Sequence, residues 1–254
     1  MIDIHSHIIP NVDDGSQGVK ETFSIINEAI DVGFTEIITT SHYIQDYYDI
    51  KATEREELIE AIQSKLNSDN MKIRLYNGAE VFIFDKMTQF IKEGIIPTLA
   101  ESRYVLFEIP MQSKTKAIYM DDQIMKLIGN NYVPIIAHPE RYQIIQENPN
   151  LALEWIKKGA LLQANYGSIL GSYGEKSKST VIKLFNANAI HFLGTDVHRV
   201  GGYKKVEEAM QRLEKTIGKE KLEQLSYINP KKIISNEEIE IEEPKKIRKS
   251  LFGN

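Results

Sequence analysis

Seven short apolar runs, rich in β-branched residues, alternate with helix-like segments along this chain, and that alternation constrains its fold more than any other feature. The runs are Ile2 to His5, Glu36 to Ser41, Ile73 to Tyr76, Tyr104 to Phe107, Val133 to Ala137, Leu161 to Ala164 and Ile190 to Gly194. Helical patterns lie between most of them: Val19 to Val32, Thr53 to Leu66, Ala117 to Ile128, Leu151 to Lys157, Ser177 to Phe185 and Lys205 to Ile217. Strands separated by helices pair in parallel, so the chain is α/β, with its sheet either closed as a barrel or open and doubly wound. At 254 residues, 42% hydrophobic and 26% charged, it suits one large globular domain or two small ones.

The chemistry-bearing residues choose between the two sheets. His5 and His7 are two apart in an extended segment, so both imidazoles share a face and can reach one metal ion. Two histidines alone are a weak pattern, but the motif repeats down the chain. His42, Glu80, Glu108, His138, Asp196 and His198 each fall just past a predicted strand. A parallel barrel delivers all strand C-termini to one face, where residues distant in sequence converge; an open sheet spreads them along an edge. Five of the six histidines at strand ends therefore favour a barrel with a metal site at its C-terminal rim. His191 begins its strand instead of ending it, and reads as structural or surface.

Composition narrows the chemistry further. With no cysteine, the chain has no disulfide, no thiolate zinc site and no cysteine nucleophile, so its ligands must be imidazole and carboxylate, a set that suits manganese, iron or zinc. A net charge of -5 offers no global attraction to nucleic acid. No apolar stretch approaches the roughly eighteen residues of a membrane span, and the first strand begins at Met1 with no room for a signal peptide, which predicts a cytoplasmic protein.

His5-x-His7, Thr40-Ser41-His42, Gly78-Ala79-Glu80, Glu108, Ala137-His138-Pro139-Glu140-Arg141 and Gly194-Thr195-Asp196-Val197-His198 resemble the ordered motifs of the PHP (polymerase and histidinol phosphatase) superfamily, as far as about Lys232. Within it, the opening with Asp13-Asp14-Gly15, then Pro97-Thr98-Leu99 and Ser102-Arg103-Tyr104, is similar to the manganese-dependent tyrosine-protein phosphatases of Gram-positive capsule and exopolysaccharide gene clusters. The resemblance implies a distorted (β/α)7 TIM-like barrel, the PHP fold, over residues 1–235, with three divalent ions, manganese first among the candidates. It implies that His5, His7, Glu80 and Asp196 hold one ion and that Glu80 bridges to a second, held also by Glu108 and His138. His42, His198 and Asp14 would hold a third, leaving Asp13 to turn the chain or orient a histidine through its ring N–H.

The expected reaction is attack of a metal-activated hydroxide on phosphorus, with Arg141 contacting the phosphoryl oxygens and Asp196 or water protonating the leaving group. The implied substrate is phosphotyrosine on a bacterial tyrosine kinase that regulates polysaccharide synthesis. A small-molecule phosphatase, such as one for histidinol phosphate, and a non-catalytic metal-stabilised scaffold are the alternatives. One departure stands out: relatives often carry a second Arg where this chain has Tyr203, leaving Arg199, Lys204 or Lys205 to supply that charge. Tyr43, Tyr47 and Tyr48 read as loop anchors or as a wall for a phenyl ring. Residues 236–254, an acidic block followed by a basic one, read as a solvated charged tail, with a docking or oligomerisation arm and a peripheral membrane contact as rivals.

Overall fold

The computed structural model describes residues 1–112 and 117–248. Nine parallel strand segments form, in chain order, β1 (Ile2–Asp3), β2 (Glu36–Ile38), β3 (His42–Tyr43), β4 (Arg74–Tyr76), β5 (Glu80–Phe82), β6 (Tyr104–Glu108), β7 (Val133–Ala137), β8 (Leu161–Asn165) and β9 (Phe192–Gly194). The principal helices between them are α1 (Val19–Asp31), α2 (Ala52–Ser68), α3 (Met87–Lys92), α4 (Ala117–Gly129), α5 (Gln143–Glu147), α6 (Asn150–Lys157) and α7 (Glu175–Asn186), and α8 (Val206–Ile217), α9 (Lys219–Glu223) and α10 (Asn229–Ile234) follow β9. The six expected helices are present within two residues of their expected ends. α3, α5, α9 and α10 are too short to leave a helical period in the sequence.

Two sheets make up one cylinder. β1, β2 and β4 pair at its base, and β3, β5, β6, β7, β8 and β9 pair in that order around its upper part. The ring closes through backbone: Ser6 bridges Val197 in parallel, His7 N donates to Val197 O (2.9 Å), and Thr40 N donates to Ser6 O (2.8 Å). Seven staves result, as a seven-stranded distorted barrel requires. The distortion lies in the second and third staves, each of which breaks: residues 39–41 separate β2 from β3, and residues 77–79 separate β4 from β5. His42 and Glu80 therefore open a second short strand instead of trailing the first, a correction to their expected place just past a strand.

Alternation fills the cylinder. Ile2, Ile4, Ile38, Leu106, Ile135, Ala137, Leu161 and Phe192 form one buried cluster with Leu99, Tyr104, Ile233 and Ile239, whereas Ile37, Val105, Phe107, Ile136, Leu162 and Leu193 pack with the surrounding helices. Each such side chain contributes roughly 1.5–3 kcal/mol through burial. The helices present matching stripes; α8 buries Val206, Ala209 and Leu213.

The chain after α10 is tied down where it is described. Asn236 Oδ1 accepts from Arg103 N (3.0 Å), Tyr104 OH donates to Glu237 O (2.6 Å), and Ile239 is buried under the base cluster. Further on, Lys245 N donates to Ala187 O (2.8 Å), and Ile247 exchanges two hydrogen bonds with the Asn150 side chain. The solvated tail expected here is thus a strap over residues 236–247, because two isoleucines spaced among its charges anchor it. The last part of the basic block, residues 249–254, lies outside the described residues. No described helix is long and apolar enough to cross a membrane.

Candidate metal centre

The upper part of the cylinder is polar where the lower is apolar. The chain bends at Ile4, so that Ile4 faces the base cluster while His5 and His7 face the rim. Each ring is turned by a second partner. His5 Nδ1 lies 2.8 Å from Gln163 Oε1 and His7 Nδ1 2.8 Å from Asp13 Oδ2, so both N–H groups are used on that side and both Nε2 lone pairs face the centre. Asp13 also accepts from His42 N (2.8 Å) and Gly15 N (2.9 Å), orienting ring and loop together. Gly15 is required, since a Cβ there would lie 2.2 Å from His7 O.

Three groups of donors converge. In the first, His5 Nε2 and His7 Nε2 are 3.2 Å apart; Glu80 Oε2 is 3.2 and 3.3 Å from them, and Asp196 Oδ1 is 3.5 Å from each. Donors set tetrahedrally ~2.1 Å from one centre stand about 3.4 Å apart, so this spacing fits a single ion. In the second, His42 Nδ1 lies 3.2 Å from Glu80 Oε2 and 3.3 Å from Glu108 Oε1, while His138, expected in this group, stands to its side, with Nε2 2.7 Å from Glu80 Oε1 and 3.8 Å from Glu108 Oε2. In the third, Asp14 Oδ1 is 3.7 Å from His42 Nε2 and 3.4 Å from His198 Nε2, beside the His7 ring. His42 thus faces two groups, one through each ring nitrogen, and the structure brings all nine expected donors together.

Electrostatics describe a site short of cations. Asp13, Asp14, Glu80, Glu108 and Asp196 surround five imidazoles. Burial opposes ionisation of Glu80, but His5, His42 and His138 outweigh it and hold the carboxylate well below its ordinary range. Burial also works against protonated His5, yet Glu80 and Asp196 raise it overall. Glu108 goes the other way: burial and then Glu80 push it up to about 9. His42 is lowered to about 4 by burial, leaving it neutral with an available lone pair. Its Nδ1 and Glu80 Oε2 are buried without a hydrogen-bond partner, as atoms reserved for a metal would be.

His138 (φ 33°) and Asp196 (φ 55°) adopt left-handed backbone at a cost on the order of 1 kcal/mol each, a strain typical of functional positions. Arg141 donates from Nη1 to Asp196 Oδ2 (2.6 Å), lies 4.4 Å above the Tyr173 ring and keeps part of its side chain exposed at the mouth. Asn165 Nδ2 braces the same Asp196 oxygen (2.9 Å) and reaches Tyr173 OH (3.2 Å). Tyr203 is buried and donates to Asp3 Oδ2 (2.7 Å), away from the mouth. Of the candidates to replace the second arginine, Arg199 donates to Gly15 O, Lys204 stands 3.8 Å from Glu28, and Lys205 lines a cavity of about 400 Å³ with Tyr173, Asp196 and His198. Tyr43 is a core residue, while Tyr48 stacks on His42 at 6.3 Å and Tyr47 is exposed. His191 is structural: Nδ1 accepts from Leu162 N (3.1 Å), and burial lowers its pKa to about 3.

Sequence reasoning missed Gln163, Asn165, Asp3 and Arg55. The first three carried a usable signal, a polar residue inside an apolar strand. Asp3 accepts from Thr195 Oγ1 (2.5 Å) and His5 N (3.2 Å), fastening β1 to the turn that bears Asp196.

A parallel barrel with imidazole and carboxylate donors gathered at its C-terminal rim is the setting of a metal-assisted enzyme. Residues 1–235 match the CpsB/CapC model for capsular polysaccharide synthesis, and the chain belongs to that family. The tyrosine-protein phosphatase YwqE of Bacillus subtilis (strain 168) is 31% identical over 255 residues, covering 100% of this chain and 99% of YwqE. A crystal structure from work on YwqE and Streptococcus pneumoniae CpsB, described as unique metal-dependent tyrosine phosphatases, superposes with a TM-score of 0.91 at 30% identity, covering 98% of this chain and all of that one. Histidinol phosphate phosphatase from Lactococcus lactis, solved with zinc, L-histidinol and phosphate, gives a TM-score of 0.57 at 18% identity over 89% of this chain and 94% of its own, which establishes a shared fold.

Proposed function

We propose that this chain is a metal-dependent protein-tyrosine phosphatase of capsular or exopolysaccharide synthesis, acting in the cytoplasm on phosphotyrosine of a bacterial tyrosine kinase. The observation that carries the reading is the convergence of nine donors at one rim in a chain similar to YwqE along its whole length. His5, His7, Glu80 and Asp196 would hold one divalent ion; Glu80, Glu108 and His138, with His42 Nδ1 beside them, would hold a second; Asp14, His42 and His198 would hold a third. Manganese suits this mixed set. When bound, such ions supply Lewis acidity and acidified water as the nucleophile.

The protein's own groups do the rest. Arg141, poised at the mouth with Tyr173 beneath it, moves its guanidinium from Asp196 to two phosphoryl oxygens, where charge spreads in a loose transition state. Gln163 and Asp13 hold the imidazoles of His5 and His7 in register, and Asn165 holds Asp196 once Arg141 has left it. A phenolic leaving group of pKa about 10 needs little general acid; burial opposes ionisation of Asp196, but His5 and His138 outweigh it and keep the carboxylate ionised, so water rather than Asp196 meets that need.

The test is turnover of a phosphotyrosyl peptide, a phosphoseryl peptide and histidinol phosphate by chelator-stripped protein with manganese, zinc or magnesium restored. The expected result is a kcat/KM for the phosphotyrosyl peptide at least tenfold above the others, highest with manganese. Preference for histidinol phosphate would refute the tyrosine reading, and absence of turnover with every metal would favour the scaffold.

A further inference from the structure

Arg55 lies in the first turn of α2 and is fully buried. A cation there opposes the positive end of the helix dipole and gives up its hydration, so neither helix stability nor burial favours arginine. No carboxylate lies within salt-bridge distance of it among the described residues. Backbone carbonyls surround it instead: Nη1 donates to Ser41 O (2.8 Å) and Gly78 O (3.4 Å), Nη2 to His42 O (2.6 Å) and Nε to Ile50 O (3.3 Å). Burial lowers its pKa to about 10, which leaves it charged at neutral pH.

Two of those four carbonyls, of Ser41 and Gly78, belong to the two breaks that interrupt the second and third staves, and a third, of His42, opens the strand after the first break. The breaks press together, since a Cβ on Gly78 would meet Thr39 O and Ile38 Cγ2 at 3.0 Å. One break delivers His42 and the other delivers Glu80, whose donor atoms face each other at 3.2 Å. The ladder is interrupted at residues 39–41 and 77–79, where Thr39 N donates to Tyr76 O (2.9 Å) and Glu80 N to Thr40 O (3.1 Å), and the Arg55 guanidinium adds a side-chain tie from Ser41 O to Gly78 O. A guanidinium suits the task because its N–H groups diverge in one rigid plane, whereas an ammonium is a single point on a flexible stem.

We propose that Arg55 is a positioning residue: by tying Ser41, His42 and Gly78 to one planar group, it sets the spacing of His42 and Glu80 that lets a divalent ion sit between them and Glu108. A displacement of about 0.5 Å between the breaks is enough to spoil a metal site. The inference rests on the metal reading above.

The experiment is a manganese titration of chelator-stripped wild type, Arg55→Lys and Arg55→Ala, read by electron paramagnetic resonance of free manganese, with circular dichroism as the control for folding. Arg55→Lys is expected to keep the wild-type spectrum and to lose one bound manganese, or at least tenfold in affinity at the weakest site. In Arg55→Ala, methylguanidinium is expected to restore binding where methylammonium does not. Wild-type number and affinity in Arg55→Lys would overturn the proposal whatever its melting temperature, and so would equal rescue by methylammonium, because charge alone would then suffice. Should Arg55→Ala not fold, Arg55→Lys decides. A wild type that binds no manganese removes the metal reading itself, whereas a binding wild type matched by Arg55→Lys removes only the role of Arg55.

Discussion

The two ends of the barrel are built from the same seven staves and opposite chemistry. At the base, Ile2, Ile38, Leu106, Ile135, Leu161 and Phe192 fill the cylinder, and Ile233 and Ile239 close it from below. At the rim, the same interior holds five imidazoles and five carboxylates, with two ligand candidates in left-handed backbone and two staves broken. The base is held by apolar burial, whereas the rim is held by hydrogen bonds and paired charges on a partly left-handed backbone. The contrast suits a rim kept for a ligand rather than for stability, and under the proposed function divalent cations would complete its electrostatics.

Variants at the two ends should therefore separate activity from stability. Glu80→Gln removes the carboxylate shared by two donor groups and is expected to lower kcat/KM at least 1000-fold, about 4 kcal/mol, with little change in melting temperature of the stripped protein. Leu161→Ala at the base should do the reverse, costing about 2–5 kcal/mol in denaturant unfolding while manganese binding per folded chain is retained. Equal effects of the two on both measurements would break the comparison.

Between these extremes lies Asp13, which binds no ion in this scheme but orients His7 and the His42 backbone. Asp13→Ala is expected to weaken manganese binding by about 10- to 100-fold without abolishing it. The smallest effect concerns Glu108. Its carboxyl is raised in the folded, metal-free protein, so between its ordinary value and about 9 the unfolded chain ionises while the folded chain does not, and stability falls as pH rises through that window. In stripped protein, Glu108→Gln is expected to raise the melting temperature by roughly 3–6 °C at pH 8 and to leave it unchanged near pH 4. The same proton must leave before a metal binds, so wild-type manganese affinity should increase with pH across the window.

How much of this was legible in the sequence also divides by region. Helices long enough to carry a period, the α/β class and the nine candidate donors that lie together at the rim could be read, because periodicity and strand-end position are local properties. The breaks at residues 39–41 and 77–79 could not, since nothing local distinguishes Thr40-Ser41 from the strand before it; only the closure of the ring interrupts the ladder there. Nothing in the sequence singles out Arg55 among the charges of its helix, because its burial comes from two loops packed across it. The tail read as charged and solvated because Ile239 and Ile247 are set among charges in sequence and find their partners only in the fold, Ile239 at the barrel base and Ile247 beside the start of α6. Tyr203, where the resemblance led to the expectation of an arginine, turns inward to Asp3, an outcome decided by packing against β1.

The most direct test is a count of manganese bound per chain after stripping and reloading, in wild type and in Glu80→Gln. Three ions in the wild type and fewer in Glu80→Gln are expected. A wild type that takes up none, or a Glu80→Gln protein that takes up as many, would contradict the account.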